Sequence, residues 1–306
     1  MNNILIKIKT RLPGGIYFNK LRLATLDLLR GKLTFVDKYA FLSYFMGSNY
    51  ANNYLVNILE QNYSQLEQNY SQNDYFNFQG IKLPKFAFES EKTSFLMEFA
   101  DFIYPYLFND FTTTIEGPYL YKDIQIKKDD IVIDAGANFG LFSALASSLG
   151  AIVYAFEPVK ITREKYLKET AKLNENINII SLALSNTIGN IFIKGGSSVT
   201  ASIVENLNKK EGDLINEMVS TITLDDWVKQ NNISKIDFIK ADIEGAERLM
   251  LEGAQWVLKN YAPKLAICTY HLPDDKKVLT DLILKANPNY KIIYKWKKLY
   301  AWVENS

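Results

Sequence analysis

Acidic residues and glycines follow short apolar runs at several points in the second half of this chain. The run Ile131-Val132-Ile133 leads into Asp134-Ala135-Gly136-Ala137-Asn138-Phe139-Gly140. Short apolar strands that feed glycine turns and then helices place ligands at the carboxyl ends of the strands. Gly136 and Gly140 carry no Cβ, so the backbone can approach a ligand closely there. The turn therefore predicts a site for a ligand of the nucleotide type.

Asp134 distinguishes between two ligands of this type. A dinucleotide fingerprint has a third glycine, which the spacing Gly136-x-Asn138-x-Gly140 lacks. A carboxylate at the strand end would repel a pyrophosphate, but it favours the sulfonium and α-ammonium groups of S-adenosyl-L-methionine. Glu157, at the end of the next apolar run, can accept both ribose hydroxyls, as an acid does in NAD enzymes. We expect S-adenosyl-L-methionine as the cofactor and keep an NAD-dependent oxidoreductase as the alternative.

Asp242 and His271 are the candidates for chemistry on the acceptor. A neutral hydroxyl is a poor nucleophile, so a base within hydrogen-bonding reach helps its methylation. Asp242 follows a predicted strand over 236–239, and His271, the only histidine in the chain, follows one over 265–268. A histidine titrates near neutral pH, which suits a base. The alternatives are a helix N-cap for Asp242 and a loop residue without a role for His271.

Three charged residues near Asp242 have structural explanations as well as chemical ones. Glu244 and Glu247 could orient the substrate or join Asp242 around a magnesium ion. Carboxylates also stabilise the first turn of a helix, which explains both residues without an ion, and we predict no metal. Lys240 could contact the substrate, but we expect it to pair with Asp242.

Taken together, these residues resemble the FkbM-type S-adenosylmethionine-dependent methyltransferases over about residues 116–303. The segments that carry the resemblance are Glu116-Gly117-Pro118-Tyr119, the stretch 130–140, Phe156-Glu157-Pro158, Thr223-Leu224-Asp225-Asp226, the stretch 236–247 and Tyr270-His271-Leu272-Pro273-Asp274-Asp275. Each segment alone is a weak signal, whereas their order and combination are specific. The first 110 residues carry no motif of this family.

The resemblance implies a class I (Rossmann-like) α/β methyltransferase fold, with a seven-stranded, mostly parallel sheet, helices on both faces and a final hairpin. It also implies methyl transfer to a hydroxyl, usually on a sugar or a natural product, so the expected acceptor is a small molecule or a glycan precursor. A methyltransferase fold that serves only as a binding module is a further alternative. The predicted cofactor-binding residues are Glu116, Tyr119, Asp134, Gly136, Asn138, Gly140, Glu157 and Asp242, and the predicted catalytic residues are His271 and Asp242.

The chain changes character near residue 110, which predicts a helical N-terminal extension over 1–110 and a cofactor-binding domain over 111–306. Before this point, apolar residues recur at helical spacing over 17–45 and over 93–104, where Pro105 should end the helix. After it, strands and helices alternate, which is typical of an α/β domain with a parallel sheet. We predict strands over 131–133, 152–156, 177–182, 188–193, 236–239, 265–268, 292–295 and 299–303, and helices over 141–149, 161–173, 224–230 and 276–286.

The composition argues against several classes of protein. The chain holds 35 Lys and Arg against 34 Asp and Glu, so it lacks the basic excess typical of nucleic-acid-binding proteins. Its one cysteine, Cys268, cannot form a disulfide framework, so we expect a reducing, cytoplasmic location. No apolar run is long enough for a transmembrane helix. The basic first thirty residues could make a weak contact with a membrane surface, although a solvated face is the simpler interpretation.

Overall fold

The computed structural model of the chain describes residues 75–78, 80–84, 98–109, 111, 114, 116–195, 201–203 and 216–304. The helix predicted over 17–45 and the basic first thirty residues lie outside these ranges, as does the start of the helix predicted over 93–104. None of the helices within the described ranges is long and apolar enough to cross a membrane.

Thirteen strands in the described residues form three sheets. In chain order they are β1 (Tyr75–Phe78), β2 (Ile81–Pro84), β3 (Ile131–Ala135), β4 (Ile152–Phe156), β5 (Ile177–Ile180), β6 (Ala183–Leu184), β7 (Gly189–Gly195), β8 (Ala201–Ile203), β9 (Asn216–Ile222), β10 (Phe238–Ala241), β11 (Lys264–Cys268), β12 (Lys291–Lys295) and β13 (Lys298–Trp302). The largest sheet has seven strands in the order β12-β13-β11-β10-β3-β4-β5. Neighbours from β11 to β5 run parallel, and β13 pairs antiparallel with both β11 and β12. The predicted mostly parallel sheet with a final hairpin is therefore confirmed.

Helices connect most of the strands of the large sheet. They are α1 (Tyr104–Phe108), α2 (Leu141–Ser148), α3 (Lys160–Thr162), α4 (Lys168–Leu173), α5 (Leu224–Gln230), α6 (Glu247–Glu252), α7 (Gln255–Asn260) and α8 (Asp275–Ala286). Two π-helical turns, Phe99–Ile103 and Arg163–Leu167, precede α1 and join α3 to α4. The Thr223 side chain caps α5 by accepting a hydrogen bond from the Asp226 N–H at 3.0 Å. All the helices predicted after residue 130 overlap observed ones.

Alternate residues of the central strands face two separate hydrophobic cores. In β3, Val132 belongs to the first core and Ile133 to the second. Residues of α2 pack in the first core, whereas residues of α5, α6, α7 and α8 pack in the second. Side chains of a strand point to opposite faces in turn, so a strand covered on both faces reads as a continuous apolar run. This arrangement confirms the predicted helices on both faces of the sheet.

Described segments before residue 110 contribute to the first of these cores. β1 and β2 form an antiparallel hairpin, and Ile81 and Leu83 of β2 are buried in that core. Phe99 and Ile103, from the π-helical turn before α1, are buried there as well. The segment that leads into the large sheet thus includes strands besides helix, and its apolar side chains cover one face of that sheet. The domain boundary at residue 110 stays a prediction.

Pro105 does not end its helix, and the prediction that it would is wrong. α1 continues to Phe108, and the chain leaves it at Asn109 in the left-handed region with φ of 47°. Proline lacks a backbone N–H, so it is tolerated only in the first turn of a helix. The π-helical turn Phe99–Ile103 breaks the regular hydrogen-bond pattern just before α1, so that Pro105 lies in a first turn.

β10 lies two residues further along the chain than predicted. The apolar pattern of Ile236 to Ile239 is interrupted by Lys240, which marked the expected end of the strand. In the structure Lys240 is buried within β10, and Ala241 after it pairs with Ala135 of β3. The strand continues through the lysine because an acidic residue lies beside it, as described below.

Gly253, which follows α6, lies against the loop after β6. A Cβ at this position would lie 2.1 Å from the backbone oxygen of Ser185, which no small side-chain adjustment relieves. We expect Gly253→Ala to lower the free energy of unfolding by about 1–3 kcal/mol. The control is Gly189→Ala, where the nearest atom is 3.8 Å from the new Cβ, and we expect a change within about 0.5 kcal/mol. Denaturant unfolding measures both, and equal losses would contradict the close approach.

Candidate cofactor and methyl-transfer site

The glycine turn lies between the ends of three adjacent parallel strands. The N–H groups of Gly136 and Ala137 both donate to the backbone oxygen of Phe156 at the end of β4, at 3.0 Å. Gly136 has a φ of +75°, and a Cβ there would lie 2.0 Å from the backbone oxygen of Asp242 after β10. Glycine is therefore required by the close approach of two chain segments, and the same approach brings Asp242 beside the turn.

Asp134 is buried beneath the turn and forms an ion pair with Lys240. The two residues are direct neighbours in the parallel register of β3 and β10, and Lys240 Nζ lies 2.9 Å from Asp134 Oδ1. Ser143 of α2 donates to Asp134 Oδ2 at 2.6 Å. Burial alone would lower the pKa of Lys240, but the neighbouring acids Asp134 and Asp242 together outweigh it and the pKa is raised. The expected pairing of Lys240 with Asp242 is wrong, because the register places Asp134 opposite the ammonium group.

Lys240 also organises the backbone of the turn. Its Nζ donates to the backbone oxygens of Ala135 at 3.2 Å and Gly136 at 2.6 Å. The ammonium group thus holds the strand end and the first glycine through charge-assisted hydrogen bonds. The Asp134 side chain has no exposed surface, so its contacts are with the protein groups beneath the turn.

Glu157 lies at the end of β4, where the sequence placed the ribose contact. Its Oε2 accepts the Asn138 N–H at 3.0 Å, and its Oε1 accepts the Val159 N–H at 2.9 Å. Burial raises the pKa of Glu157 to about 7, although these two hydrogen bonds oppose the change. The carboxylate is fixed by the turn itself, with acceptor capacity left for hydroxyl groups.

Glu98 joins the site from the N-terminal side, and sequence reasoning missed it. Its Oε1 accepts a hydrogen bond from the Asn138 side chain, Nδ2, at 2.9 Å. Burial raises the pKa of Glu98 to about 8, and Asp242 and Glu116 add to the increase, whereas Lys240 opposes it. The residue precedes a π-helical turn in a segment without any motif, so no spacing in the sequence indicates it.

Asp242 is held by Tyr119 at the carboxyl end of β10. The Tyr119 hydroxyl donates to Asp242 Oδ2 at 2.8 Å. Burial alone would raise the pKa of Asp242, but Lys240, Lys298 and His271 outweigh it and hold the pKa below its ordinary value. The structure therefore brings together Tyr119 and Asp242, two of the predicted cofactor-binding residues, and keeps Asp242 ionised.

Glu116 and Tyr119 are tied to the start of β13. Lys297 Nζ donates to Glu116 Oε1 at 2.8 Å, and the buried Lys298 donates to the backbone oxygen of Glu116 at 3.3 Å. Lys298 Nζ also lies 4.3 Å from the centre of the Tyr119 ring, at cation–π distance. The two lysines, which no motif indicated, hold the loop over residues 116–119 against the large sheet.

His271 lies among three carboxylates in the loop after β11. Its Nδ1 is 3.0 Å from Glu247 Oε1, and its Nε2 is 3.6 Å from Asp242 Oδ1 and 3.5 Å from Glu244 Oε2. Burial alone would lower the pKa of His271, but the three acids, with Glu247 first, raise it to about 9. The sequence predicted that His271 and Asp242 each follow a strand beside the cofactor. The structure adds Glu247 as the neighbour of His271 Nδ1.

Glu247 is buried and already holds its own loop. Its Oε1 accepts the Ile243 N–H at 2.9 Å, and its Oε2 accepts the Gly245 N–H at 3.1 Å. One donor atom each from Asp242, Glu247 and His271 lie within 4.8 Å of one another, so this group could hold a metal ion. Two backbone donors on the Glu247 carboxylate compete with such an ion for its lone pairs.

Gly140 begins α2 and packs against a neighbouring helix. It has a φ of +82°, and a Cβ there would lie 2.8 Å from Leu167 Cδ1 and 3.0 Å from Thr170 Cγ2. Close packing of α2 on the π-helical turn and α4 accounts for this glycine. Its predicted contact with the cofactor stays a prediction, as do the roles of the other site residues.

The arrangement of turn, acids and histidine can be compared with known proteins. A model of the methyltransferase FkbM domain matches residues 134–292, which is more than half of the chain. The chain belongs to the FkbM methyltransferase family. The match begins at Asp134 and includes Glu157, Asp242 and His271.

Relatives in the FkbM family include two curated methyltransferases. Hexuronic acid methyltransferase AglP from Haloferax volcanii is 26% identical, over 55% of this chain and 67% of that protein. The 31-O-demethyl-FK506 methyltransferase FkbM from Streptomyces tacrolimicus is 24% identical, over 51% of this chain and 69% of that protein. A solved FkbM methyltransferase from Methylobacillus flagellatus is 20% identical with a TM-score of 0.46, covering 71% of this chain but only 55% of that one.

Membership of the FkbM family decides between the two cofactors considered from the sequence. The predicted cofactor, S-adenosyl-L-methionine, is confirmed, and the NAD-dependent alternative is wrong. The residues of the glycine turn fit this cofactor, because the carboxylates of Glu157 and Asp242 lie beside a turn with a close backbone approach. When bound, the cofactor supplies the methyl group on its sulfonium.

The ion pair between Asp134 and Lys240 gives a stability prediction. We expect Asp134→Asn to lower the free energy of unfolding by about 3–5 kcal/mol, because it leaves a buried ammonium group without its counter-charge. Lys240→Met should cost a similar amount, and the double variant should recover most of the loss because neither charge of the pair remains. A double-mutant cycle in denaturant measures the coupling. Additive losses in the double variant would contradict the pairing.

Proposed function

We propose that this protein is an O-methyltransferase that methylates a hydroxyl group on a sugar or glycan precursor, with His271 as the general base. The observation that carries the proposal is the position of His271, whose imidazole lies among three carboxylates beside the cofactor turn. The name of hexuronic acid methyltransferase AglP supports a sugar acceptor, and that of the 31-O-demethyl-FK506 methyltransferase supports oxygen as the methylated atom.

The transfer requires little covalent chemistry from the protein. The cofactor would supply the methyl group, which would pass from its sulfur to the acceptor oxygen and leave S-adenosylhomocysteine as the neutral product. The acceptor proton passes to His271 Nε2 as the new carbon–oxygen bond forms. The side chains mainly position the reactants and exclude water, and the base contributes about 10²–10⁴-fold to the rate.

Glu247 is a positioning residue for the base. It faces Nδ1 at 3.0 Å, so it favours the tautomer with a proton on Nδ1 and a lone pair on Nε2. Nε2 then points toward Asp242 and Glu244, the side from which an acceptor hydroxyl would approach. The two backbone hydrogen bonds to Glu247 fix its carboxylate and, through it, the orientation of the imidazole ring.

Cofactor binding prepares this base electrostatically. In the protein alone, a pKa of about 9 keeps His271 protonated at neutral pH. The bound cofactor would add the positive charge of a sulfonium and an ammonium group near these carboxylates. That charge would offset the field that raises the pKa of His271, so the imidazole would lose its proton more readily in the loaded enzyme.

A second candidate places a divalent ion on the same donor atoms. The proximity of one donor each from Asp242, Glu247 and His271 favours it. Such an ion would activate the acceptor hydroxyl by lowering its pKa. Chelation separates the two: EDTA leaves turnover unchanged if His271 is the base, and abolishes it, with recovery on adding Mg²⁺ or Mn²⁺, if an ion assists.

Cofactor titration tests the first requirement of the proposal. Calorimetric titration of the full chain with S-adenosyl-L-methionine should show one site, and binding should raise the thermal midpoint. NAD under the same conditions should give neither signal. Methyl transfer from labelled cofactor to uronic-acid-containing glycans then separates an enzyme from a binding module, since a module would bind cofactor without turnover.

Replacement of His271 and Glu247 tests the base. His271→Gln should lower kcat by about 10²–10⁴-fold with little change in cofactor affinity. In the wild type, kcat/KM for the cofactor should rise with pH and level off above about 9, because this ratio reports the free enzyme, in which His271 must lose its proton before it can act as a base. Glu247→Gln removes the largest influence that raises this pKa, so the rise should move to lower pH. An unchanged pH profile in Glu247→Gln would contradict the positioning role.

A further inference from the structure

Glu98 is the acid of the site that neither a motif nor a backbone pairing explains. Its Oε1 accepts from the Asn138 side chain, and in the described part of the chain no other group donates to its carboxylate. The charged groups close enough to shift its pKa are Lys240 of β10, Asp242 of the following loop and Glu116 of the loop before β3. Lys240 is committed to Asp134 and to two backbone oxygens, and Asp242 is committed to Tyr119.

Asn138 connects Glu98 to the opposite end of the cofactor turn. Its backbone N–H donates to Glu157, and its side chain donates to Glu98. Glu157 directly follows β4, whereas Glu98 is influenced by Lys240 in β10 and by Asp242 just after it. The two carboxylates therefore flank a single residue of the turn. In S-adenosyl-L-methionine, the ribose hydroxyls and the α-ammonium group likewise lie on opposite sides of the sulfonium.

The charge balance around Glu98 fits a cationic ligand group. Burial and two neighbouring acids oppose its ionisation, which explains a pKa of about 8 in the protein alone. An ammonium group at hydrogen-bonding distance would reverse this balance and make the ionised carboxylate favourable. Asp134, the acid expected at this end from the sequence, is fully buried and already neutralised by Lys240.

We propose that Glu98 binds the α-ammonium group of S-adenosyl-L-methionine, so that the amino-acid end of the cofactor is recognised by the segment before the large sheet. This inference rests on the cofactor established by family membership and is independent of the acceptor. In this proposal the segment before the large sheet contacts the cofactor directly, through the Glu98 carboxylate that Asn138 holds in place.

Glu98→Gln is the informative variant, because glutamine keeps an oxygen that can accept from Asn138 and loses only the charge. We expect the dissociation constant for S-adenosyl-L-methionine to rise by about ten-fold to a hundred-fold, the range for loss of a charged hydrogen bond. The dissociation constant for 5′-methylthioadenosine, which has the adenosine and the sulfur but no amino acid, should change less than about two-fold.

Two controls make the result interpretable. Glu169→Gln removes one negative charge from α4, where the glutamate pairs with Lys172 on the surface, and should leave both affinities unchanged. Unaltered binding of 5′-methylthioadenosine shows that Glu98→Gln still folds around its turn. If the variant weakens both ligands equally, Glu98 is only a support for Asn138, and if it weakens neither, the ammonium group binds elsewhere. Absence of binding to the wild type would overturn the cofactor itself.

Proton release gives a second readout of the same contact. If the ammonium group ionises Glu98, binding at pH 7 must release protons, because a carboxyl with a pKa of about 8 is mostly protonated beforehand. Calorimetry in two buffers of different ionisation enthalpy measures this release. Glu98→Gln should release fewer protons than the wild type, whereas Glu169→Gln should match it. Equal release by wild type and Glu98→Gln would overturn the proposal.

Discussion

The ion pair between Asp134 and Lys240 is the interaction on which the rest of the site depends. Two charges are removed from water at the centre of the large sheet, which is favourable only because the parallel register of β3 and β10 places them side by side. Lys240 then donates to the oxygens of Ala135 and Gly136, so the pair fixes the strand end and the start of the glycine turn together. Because a Cβ at Gly136 would meet the backbone of Asp242, the same geometry sets the position of the acid after β10.

The site combines a fixed scaffold with an excess of carboxylates. Burial raises the pKa of Glu98 and Glu157, while neighbouring cations keep Asp242 ionised. Such an arrangement favours a cationic ligand, because a sulfonium and an ammonium group stabilise the ionised carboxylates, which burial disfavours in the protein alone. His271 lies in the field of the same group of acids, since Glu247, Asp242 and Glu244 raise its pKa to about 9. In the mechanism that we propose, cofactor binding and the readiness of the base are therefore linked through shared charges.

The sequence by itself determined the class of fold and the identity of the cofactor. The alternation of apolar runs and helical stretches after residue 130 specified the order of elements, because strands covered on both faces must be apolar throughout. The glycine turn with Asp134 at its start and Glu157 at the next strand end indicated the cofactor, and family membership confirmed it. Asp242 and His271 were each predicted to follow a strand, where ligands bind in such sheets, and the structure brings them to 3.6 Å.

Only the tertiary structure decided which charges are partners. Lys240 pairs with Asp134 and not with the nearer residue in sequence, Asp242, because register across strands outweighs proximity along the chain. Glu98 reaches the turn across 40 residues of sequence, and no local pattern predicts a contact at that separation. The prediction that Pro105 ends a helix failed for a related reason. The π-helical turn before it places Pro105 in the first turn of α1, where a proline does not disrupt the helix. Apolar periodicity thus fixes the elements, whereas the pairing of buried polar groups depends on how those elements are brought together.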